Sequence, residues 1–417
     1  MKISIKIWQI GWVLLFPCAL IAQTANTGEL AILPNTQFST VGDFNNTGTF
    51  INDGEAFIYA HFTNNGTVDF ASGGLTRFQG EAVQQLAGGN ISYFYNVLFD
   101  NVSSPTASFE VSGDMSIANE ADFNNGIVNN DDFGGAIIFE DNATHTQVFD
   151  GSHVDGPVQK IGDDSFEFPI GDKQFFRYAA ISAPDNTNDT FSGKYFFENP
   201  VGQTINGETP TANAAGVITL LDTAEFWTIT KDAGTSDVLL TLSWEEGSTT
   251  PQEIADNPLE EIHIARWDQA QGIWIDEGGI VNTVDKTVTT PLALDAYGIF
   301  TLARVNSGII EEGDVVIYNG VTPNGDGKND YFIIDGIENL ANNNVQVFNR
   351  WGVKVFETSD YDRNGNVFRG FSDGRLTVAG SNLLPTATYF YVITYDAQVN
   401  GVTQRIKKAG YLYLTTD

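Results

Sequence analysis

Apolar residues in this chain come in short runs that alternate with polar ones, and clusters of Asn, Gly and Asp separate the runs. Val238-Leu239-Leu240-Thr241-Leu242-Ser243-Trp244, Ile262-His263-Ile264-Ala265-Arg266-Trp267, Gly272-Ile273-Trp274-Ile275 and Tyr297-Gly298-Ile299-Phe300-Thr301-Leu302-Ala303 are four such runs. Turn clusters include Asn129-Asn130-Asp131-Asp132 and Asn206-Gly207. A period near two, broken by residues that tolerate tight turns, predicts strands and hairpins. Pro251 to Glu261 is the main stretch that predicts a helical turn. The expected class is all-β.

Within residues 23–150 the pattern repeats. Phe44-Asn45-Asn46-Thr47-Gly48-Thr49-Phe50 returns as Phe62-Thr63-Asn64-Asn65-Gly66-Thr67-Val68, with fainter echoes at Asn26-Thr27-Gly28-Glu29-Leu30 and Phe123-Asn124-Asn125-Gly126-Ile127-Val128. A period of about 18 to 20 suits the rung of a β-solenoid, in which each turn buries its apolar residues on the next. A sandwich of repetitive hairpins is the competing arrangement. The repeat favours the solenoid, although only two copies are clear where stacking normally needs about three. Residues 151–312 lose the repeat and gain tryptophans, which predicts an antiparallel β-sandwich filled by wide aromatics.

From residue 313 the strands are again distinct. Val345-Gln346-Val347-Phe348 and Val353-Lys354-Val355-Phe356 flank Asn349-Arg350-Trp351-Gly352 as a hairpin. Thr388 to Ile393 and Tyr411 to Leu414 supply two further strands. About 105 residues of short strands predict an immunoglobulin-like β-sandwich.

Charge sharpens this division. The chain carries 20 basic and 53 acidic residues, a net charge of −33. Residues 313–417 hold 9 basic and 11 acidic residues and the first 22 hold only Lys2 and Lys6, so the acidity lies in the middle. Such a surface repels nucleic acid and anionic membranes, and neither is an expected partner. The shift near residue 312 marks a domain boundary.

Residues 1–22 have the parts of a secretory signal: Lys2 and Lys6, the apolar run Ile7 to Ile21, and the small residue Ala22 before Gln23. About 15 apolar residues fall short of the roughly 20 that span a bilayer, so no transmembrane anchor is expected. Cys18, the only cysteine, lies inside that segment, behind Leu15-Phe16-Pro17, which lacks the small residues of a lipoprotein signal. The mature chain therefore has no disulfide, thiol nucleophile or cysteine metal site.

Four motifs follow in order beyond residue 320: Val321-Thr322-Pro323-Asn324-Gly325-Asp326-Gly327-Lys328-Asn329-Asp330, then Phe348-Asn349-Arg350-Trp351-Gly352, then Thr388-Tyr389-Phe390-Tyr391-Val392, then Gly410-Tyr411-Leu412-Tyr413-Leu414. Residues 313–417 thereby resemble the gliding-motility-associated C-terminal domain, the type B sorting domain of the type IX secretion system. Two positions depart from that family's usual pattern. Phe371-Ser372-Asp373-Gly374 stands where Trp-Asp-Gly is usual, and Ala387 stands where Gly precedes Thr-Tyr. The resemblance implies passage of the inner membrane on a signal peptide. Recognition by outer-membrane type IX machinery would follow, with delivery to the outer cell surface or the medium. More loosely, Val154 to Lys160 with Phe166 to Gly171 resembles a module of large type IX-exported surface proteins.

Candidate chemistry is sparse. Asn324, Asp326, Lys328, Asp330 and Asp335 fall at positions 1, 3, 5, 7 and 12 of a calcium-loop spacing. Against an EF-hand stand Lys328, which offers only its carbonyl, and Asn329 in place of Gly at position 6. An Asx-rich turn leading into a strand is the competing reading. No cofactor is required, and calcium is the only one suggested. His61, His145, His153 and His263 form no HExxH pattern, and neither a Gly-x-Ser-x-Gly elbow nor a P-loop is present. His263, between Ile262 and Ile264, is expected to be an exposed sheet residue. Asp222 with Glu225, and Glu245 with Glu246, are carboxylate pairs of the kind a glycosidase uses, but carboxylates are abundant here. Without a catalytic motif the chain is expected not to be an enzyme. It is expected to be a secreted or surface protein of structural or adhesive role, with a surface glycan or cell-envelope ligand. The competing function is a secreted carbohydrate-binding or carbohydrate-degrading protein.

Overall fold

The heptapeptide that begins at Phe44 and its echo at Phe62 lie directly on one another, residue on residue. In the computed structural model, which describes residues 23–215, 218–256, 262–305, 315–325, 327–350, 352–372, 383–399 and 402–416, strands make up 51% and helix 2%, so strand pairing carries the fold. The predicted signal segment lies outside the described residues. Among those residues no helix is long and apolar enough to cross a membrane. The helical turn expected after Pro251 is the single turn Gln252–Ala255.

Residues from Thr24 onward wind into a β-solenoid of about seven turns. Thr24–Asn26 pairs in parallel with Phe44–Asn46, and that strand pairs in parallel with Phe62–Asn64. Glu29–Ile32 lies on Thr49–Asn52, and Gln37–Thr40 lies on Glu55–Ile58. This settles the solenoid over the hairpin sandwich, because hairpins would pair antiparallel.

Side chains explain the repeat. The third residue of each heptapeptide, an asparagine, points inward and is buried, Asn46 at 1% exposure and Asn64 at 0%. Asn26 donates to Oδ1 of Asn46 at 2.8 Å, and Asn46 donates to Oδ1 of Asn64 at 2.9 Å. The same amide of Asn46 also donates to the Thr67 carbonyl at 2.9 Å. Each buried amide is thus satisfied by the next rung, as a buried polar group requires. Oδ1 of Asn64 accepts from the Gly66 amide at 3.0 Å, closing the corner. Glycine is needed at that corner: a Cβ on Gly48 would stand 2.1 Å from the Gly28 carbonyl, and one on Gly66 would stand 2.1 Å from the Gly48 carbonyl. Beside the amide ladder runs an aromatic one, with Phe44 stacked on Phe62 at 5.7 Å, and Phe99 stacked on Phe78 at 6.0 Å and on Phe123 at 5.3 Å.

Parallel stacking continues through Val154–Asp155 onto Ile170–Asp172. The handover to antiparallel structure happens on one strand. Val158–Ile161 pairs in parallel with Ile137–Phe139 on one side and antiparallel with Thr190–Phe196 on the other. Thr190–Phe196 leads through Phe226–Ala233, Gly298–Val305 and Ile262–Asp268 to Ile273–Asp276. A second sheet runs Phe166–Phe168, Ala179–Ile181, Leu240–Ser243, Thr287–Thr289 and Ile280–Asn282. The two sheets enclose Trp227, Phe300, Leu240 and Leu242, which belong to the same buried cluster as the solenoid's phenylalanines. At Asn206-Gly207 the expected tight turn forms, with φ of 50° and 85°.

Residues 315–416 have a separate core. Five strands run in the order Gly320–Val321, Val402–Leu414, Ala387–Val399, Ala341–Phe348, Lys354–Ser359. Val316–Ile317 and Ile334–Asp335 form a two-stranded ribbon. The predicted hairpin is present, with Gly352 at φ 73° in its turn and the Gly352 amide donating to the Asn349 carbonyl at 3.0 Å. The expected immunoglobulin-like sandwich is not established by these strands, which make one full sheet and one ribbon.

Candidate functional site

The loop with calcium-like spacing closes on itself. The Thr322 amide donates to the Asn329 carbonyl at 2.7 Å, and Oγ1 of Thr322 donates to the Lys328 carbonyl at 3.2 Å. The Asp330 carboxylate accepts from the amides of Gly325 at 2.6 Å and Gly327 at 2.8 Å. Asn329, at the sixth position, takes φ 53°, the left-handed conformation for which a calcium loop uses glycine. Asparagine tolerates that conformation better than most residues. Asp335 is exposed on the ribbon, opposite Val316, and Asp326 lies outside the described residues. The carbonyl of Lys328 and the carboxylate of Asp330, both hard oxygen donors, are already engaged by loop hydrogen bonds.

The histidines are dispersed. Nδ1 of His61 accepts from the Gln85 amide at 3.0 Å. His145 lies among Phe123, Phe139 and Phe166, with Nε2 donating to the Glu167 carbonyl at 2.6 Å, and burial lowers its pKa. His153 is fully buried, which depresses it to about 4, and its Nε2 has no hydrogen-bond partner. His263 is half-buried rather than exposed, because Nδ1 meets the Asp276 carboxylate at 2.8 Å. Among the described residues no group of three or more His, Cys, Asp or Glu could hold a metal ion.

The two carboxylate pairs have opposite settings. Glu245 is half-buried and Glu246 exposed, and they share Lys286, at 2.6 and 3.3 Å, as an ion cluster at the surface. Asp222 and Glu225 are fully buried in the sandwich. Glu225 accepts from the Tyr195 hydroxyl at 2.7 Å and from Oγ1 of Thr250 at 2.5 Å. Asp222 accepts from the Ala224 amide at 2.8 Å, and its Oδ2 has no partner. Burial raises both carboxyls, and the charge of Glu225 raises Asp222 further. This pair is sealed inside the fold, away from solvent.

A cleft of about 610 Å³ opens where solenoid and sandwich meet. Glu110, Asn129 and Asp155 line it from three successive strands of the parallel ladder, where they are register partners. Asp131, Asp132 and Asp172 add carboxylates, Lys194 pairs with Asp131, and Phe133 and Phe196 supply aromatic walls. Asp172 accepts from the Phe197 amide at 2.8 Å. Burial, then the charges of Asp172, Asp131 and Asp132, push Asp155 from 3.8 up to about 7 against the pull of Lys194. Near neutral pH Asp155 is therefore poised between its protonated and ionised forms, with Asn129 beside it as donor and acceptor. That mixture suits a ligand rich in hydroxyls. No single sequence motif collects these residues: Asn129, Asp131 and Asp132 belong to a turn cluster, and Asp155 to the stretch from Val154 to Lys160. The signal that could have found them is the register row of Glu110, Asn129 and Asp155, visible only after stacking.

The fold and this distribution of groups define an all-β protein with a solenoid and a separately cored C-terminal sheet. Residues 315–414 match the CHU_C type IX secretion signal domain, so this segment is the C-terminal sorting domain. Such a signal implies export by the type IX system to the cell surface or extracellular space. No curated protein and no solved structure matches the chain.

Proposed function

We propose that this chain is a structural or adhesive protein of the cell surface, started on its route by a signal peptide at residues 1–22. The observation that carries the reading is the joining of solenoid and sandwich in one buried cluster ahead of a sorting domain with its own core. Cargo of residues 23–150 and 151–312 then forms one packed body, and residues 313–417 form the sorting unit. The acidic surface keeps such a body soluble outside the cell and binds neither nucleic acid nor anionic membrane. Deleting residues 315–414 is expected to leave the remainder in the periplasm. Normal appearance of the truncated chain outside the cell would refute the route.

A second reading, a carbohydrate-binding or carbohydrate-degrading protein, is favoured by the cleft around Asp155. Incubating the exported full chain with an array of polysaccharides, and measuring both retention and reducing-sugar release, separates the two. Turnover of any glycan overturns the non-enzyme reading, and saturable retention without turnover supports a binding module. Independently of either reading, calcium is proposed at Asn324, Asp326, Lys328, Asp330 and Asp335, supported by the φ of Asn329. Calorimetric titration of the full chain with CaCl₂ tests it. Absence of both binding heat and a rise in melting temperature removes the ion.

A further inference from the structure

The sheet of the sorting domain carries large apolar side chains on both faces, and only one face belongs to its core. Val345, Val347, Tyr391, Ile393, Leu412 and Leu414 point inward and are buried. The alternate residues point the other way. Phe348, Phe390 and Tyr411 are register partners on three adjacent strands, so their rings form one row across the sheet. Tyr413, two residues on from Tyr411, extends the row toward Gly320, which has no side chain to cover it. Phe348 and Phe390 are half-buried, Tyr411 is 46% exposed and Tyr413 58%.

Part of this face is used. Lys407 reaches Glu277 of the sandwich at 3.3 Å, and Ala409 lies beside Gly278. The cargo therefore meets one end of the face and leaves the aromatic row at the other. Clustered aromatic rings with polar tips are what well-packed interface centres are made of, and a monomer rarely exposes them without use. The sorting domain is also nearly balanced in charge, with 9 basic and 11 acidic residues over 313–417. Net charge therefore gives little long-range attraction to a partner, and the exposed rings supply apolar contact.

We infer that the row Phe348, Phe390 and Tyr411, with Tyr413, is the face by which a protein component of the outer-membrane type IX machinery grips the sorting domain. The inference rests on the export reading, and it adds a surface to it. The row adjoins the contact at Lys407 and Ala409, so a component bound there sits beside the cargo.

The test uses the full chain in a host that carries the type IX machinery. Combined Phe390→Ser, Tyr411→Ser and Tyr413→Ser lowers the exported fraction at least about tenfold, as expected for truncating anchors at an interface centre. Asn344→Ser with Thr394→Ser, on the polar end of the same face, leaves export at the parent level. Tyr413→Lys puts a charge on the most exposed ring without touching the core, and lowers export while keeping the parent melting temperature. Parent-level export of both ring variants overturns the inference, as does loss of export only where the melting temperature also falls. A parent dimer that the triple variant dissociates, with export intact, assigns the face to self-association and equally overturns it. Deletion of residues 315–414 separates the claims. Export of that deletion sinks the sorting reading itself, whereas loss on deletion with normal export of the ring variants sinks only the face.

Discussion

The solenoid and the sorting domain are both sheet structures, yet they are stabilised by different patterns of contact. In the solenoid each interior position meets the same position one rung away, so Asn26, Asn46 and Asn64 satisfy one another and Phe44 stacks on Phe62. Its contacts are between neighbouring turns, and stability builds rung by rung. In the sorting domain the long hairpin of Ala387–Val399 and Val402–Leu414 closes a core that also draws on Val321, Phe332 and Tyr361. There each side chain has partners of other kinds, and no single substitution is repeated elsewhere. The difference teaches where polar residues can be buried. A repeat can hide an amide by stacking copies of it, whereas a non-repeating core must supply each one a dedicated partner. Asn343 shows the second case, donating to the carbonyls of Ile337 and Leu340 and accepting from the Tyr361 amide at 2.7 Å.

The strongest way to break this comparison is to empty one core and watch the other. Phe99→Ala, which removes a ring stacked on two rungs, is expected to destabilise the solenoid by about 3–5 kcal/mol. Ile393→Ala should do likewise to the sorting domain, by about 2–5 kcal/mol. Each is expected to lower its own transition in urea, followed by hydrogen exchange, and leave the other in place. A single transition shifted by both variants would show that the two cores fold as one.

Asn46→Ala tests the amide ladder. It removes the donor to the Thr67 carbonyl and one acceptor for Asn26. The expected loss is about 1–3 kcal/mol, the cost of orphaning a buried polar group. A loss no larger than for an exposed asparagine such as Asn119 would mean that the ladder adds little beyond shape.

Asp155 sharpens the contrast through pH. Its folded value, about 7, lies above the ordinary 3.8, so the unfolded chain gives up this proton first. Stability from this group is therefore full at low pH and is lost as pH rises from the ordinary carboxylate range to about 7. Asp155→Asn is expected to flatten the stability profile of the solenoid over that window and leave the sorting domain's profile unchanged. Chemical unfolding at pH 5 and pH 8 reads the difference, and an unchanged slope would place Asp155 in water.

The smallest effect concerns the contact between the two units. Lys407→Ala is expected to cost less than about 1 kcal/mol, because the ion pair is partly exposed and Glu277 keeps Arg266 at 2.8 Å. A larger loss would mean that this contact locks the sorting domain to its cargo.

Much of the architecture was legible because the repeat wrote it twice. Two copies of an Asn-rich heptapeptide predicted a rung of about the observed length, and the Asn-Gly corners followed. Later turns were hidden because bulges at Phe94 to Asn96 and Phe99 to Asp100 shift the register, and insertions lengthen the rungs. The sorting domain was legible from four ordered motifs, and the match over residues 315–414 agrees. The cleft was not legible. Glu110, Asn129, Asp155 and Asp172 are separated by about twenty residues each, and no spacing rule collects them before the strands are stacked. His263 was misplaced for a related reason: alternation put it on an outer face, and the partner Asp276 sits on the neighbouring strand.

By itself, the sequence determined the all-β class, the rung period, the acidic middle and the C-terminal sorting domain, because each is written in local pattern or composition. Only the tertiary structure decided which residues share a face. It placed Asp155 among like charges, sealed Asp222 with Glu225, and aligned Phe348, Phe390 and Tyr411. The physical reason is that strand register is set by long-range pairing. A neighbour across a sheet can be tens of residues away, and both burial and charge act through that neighbour.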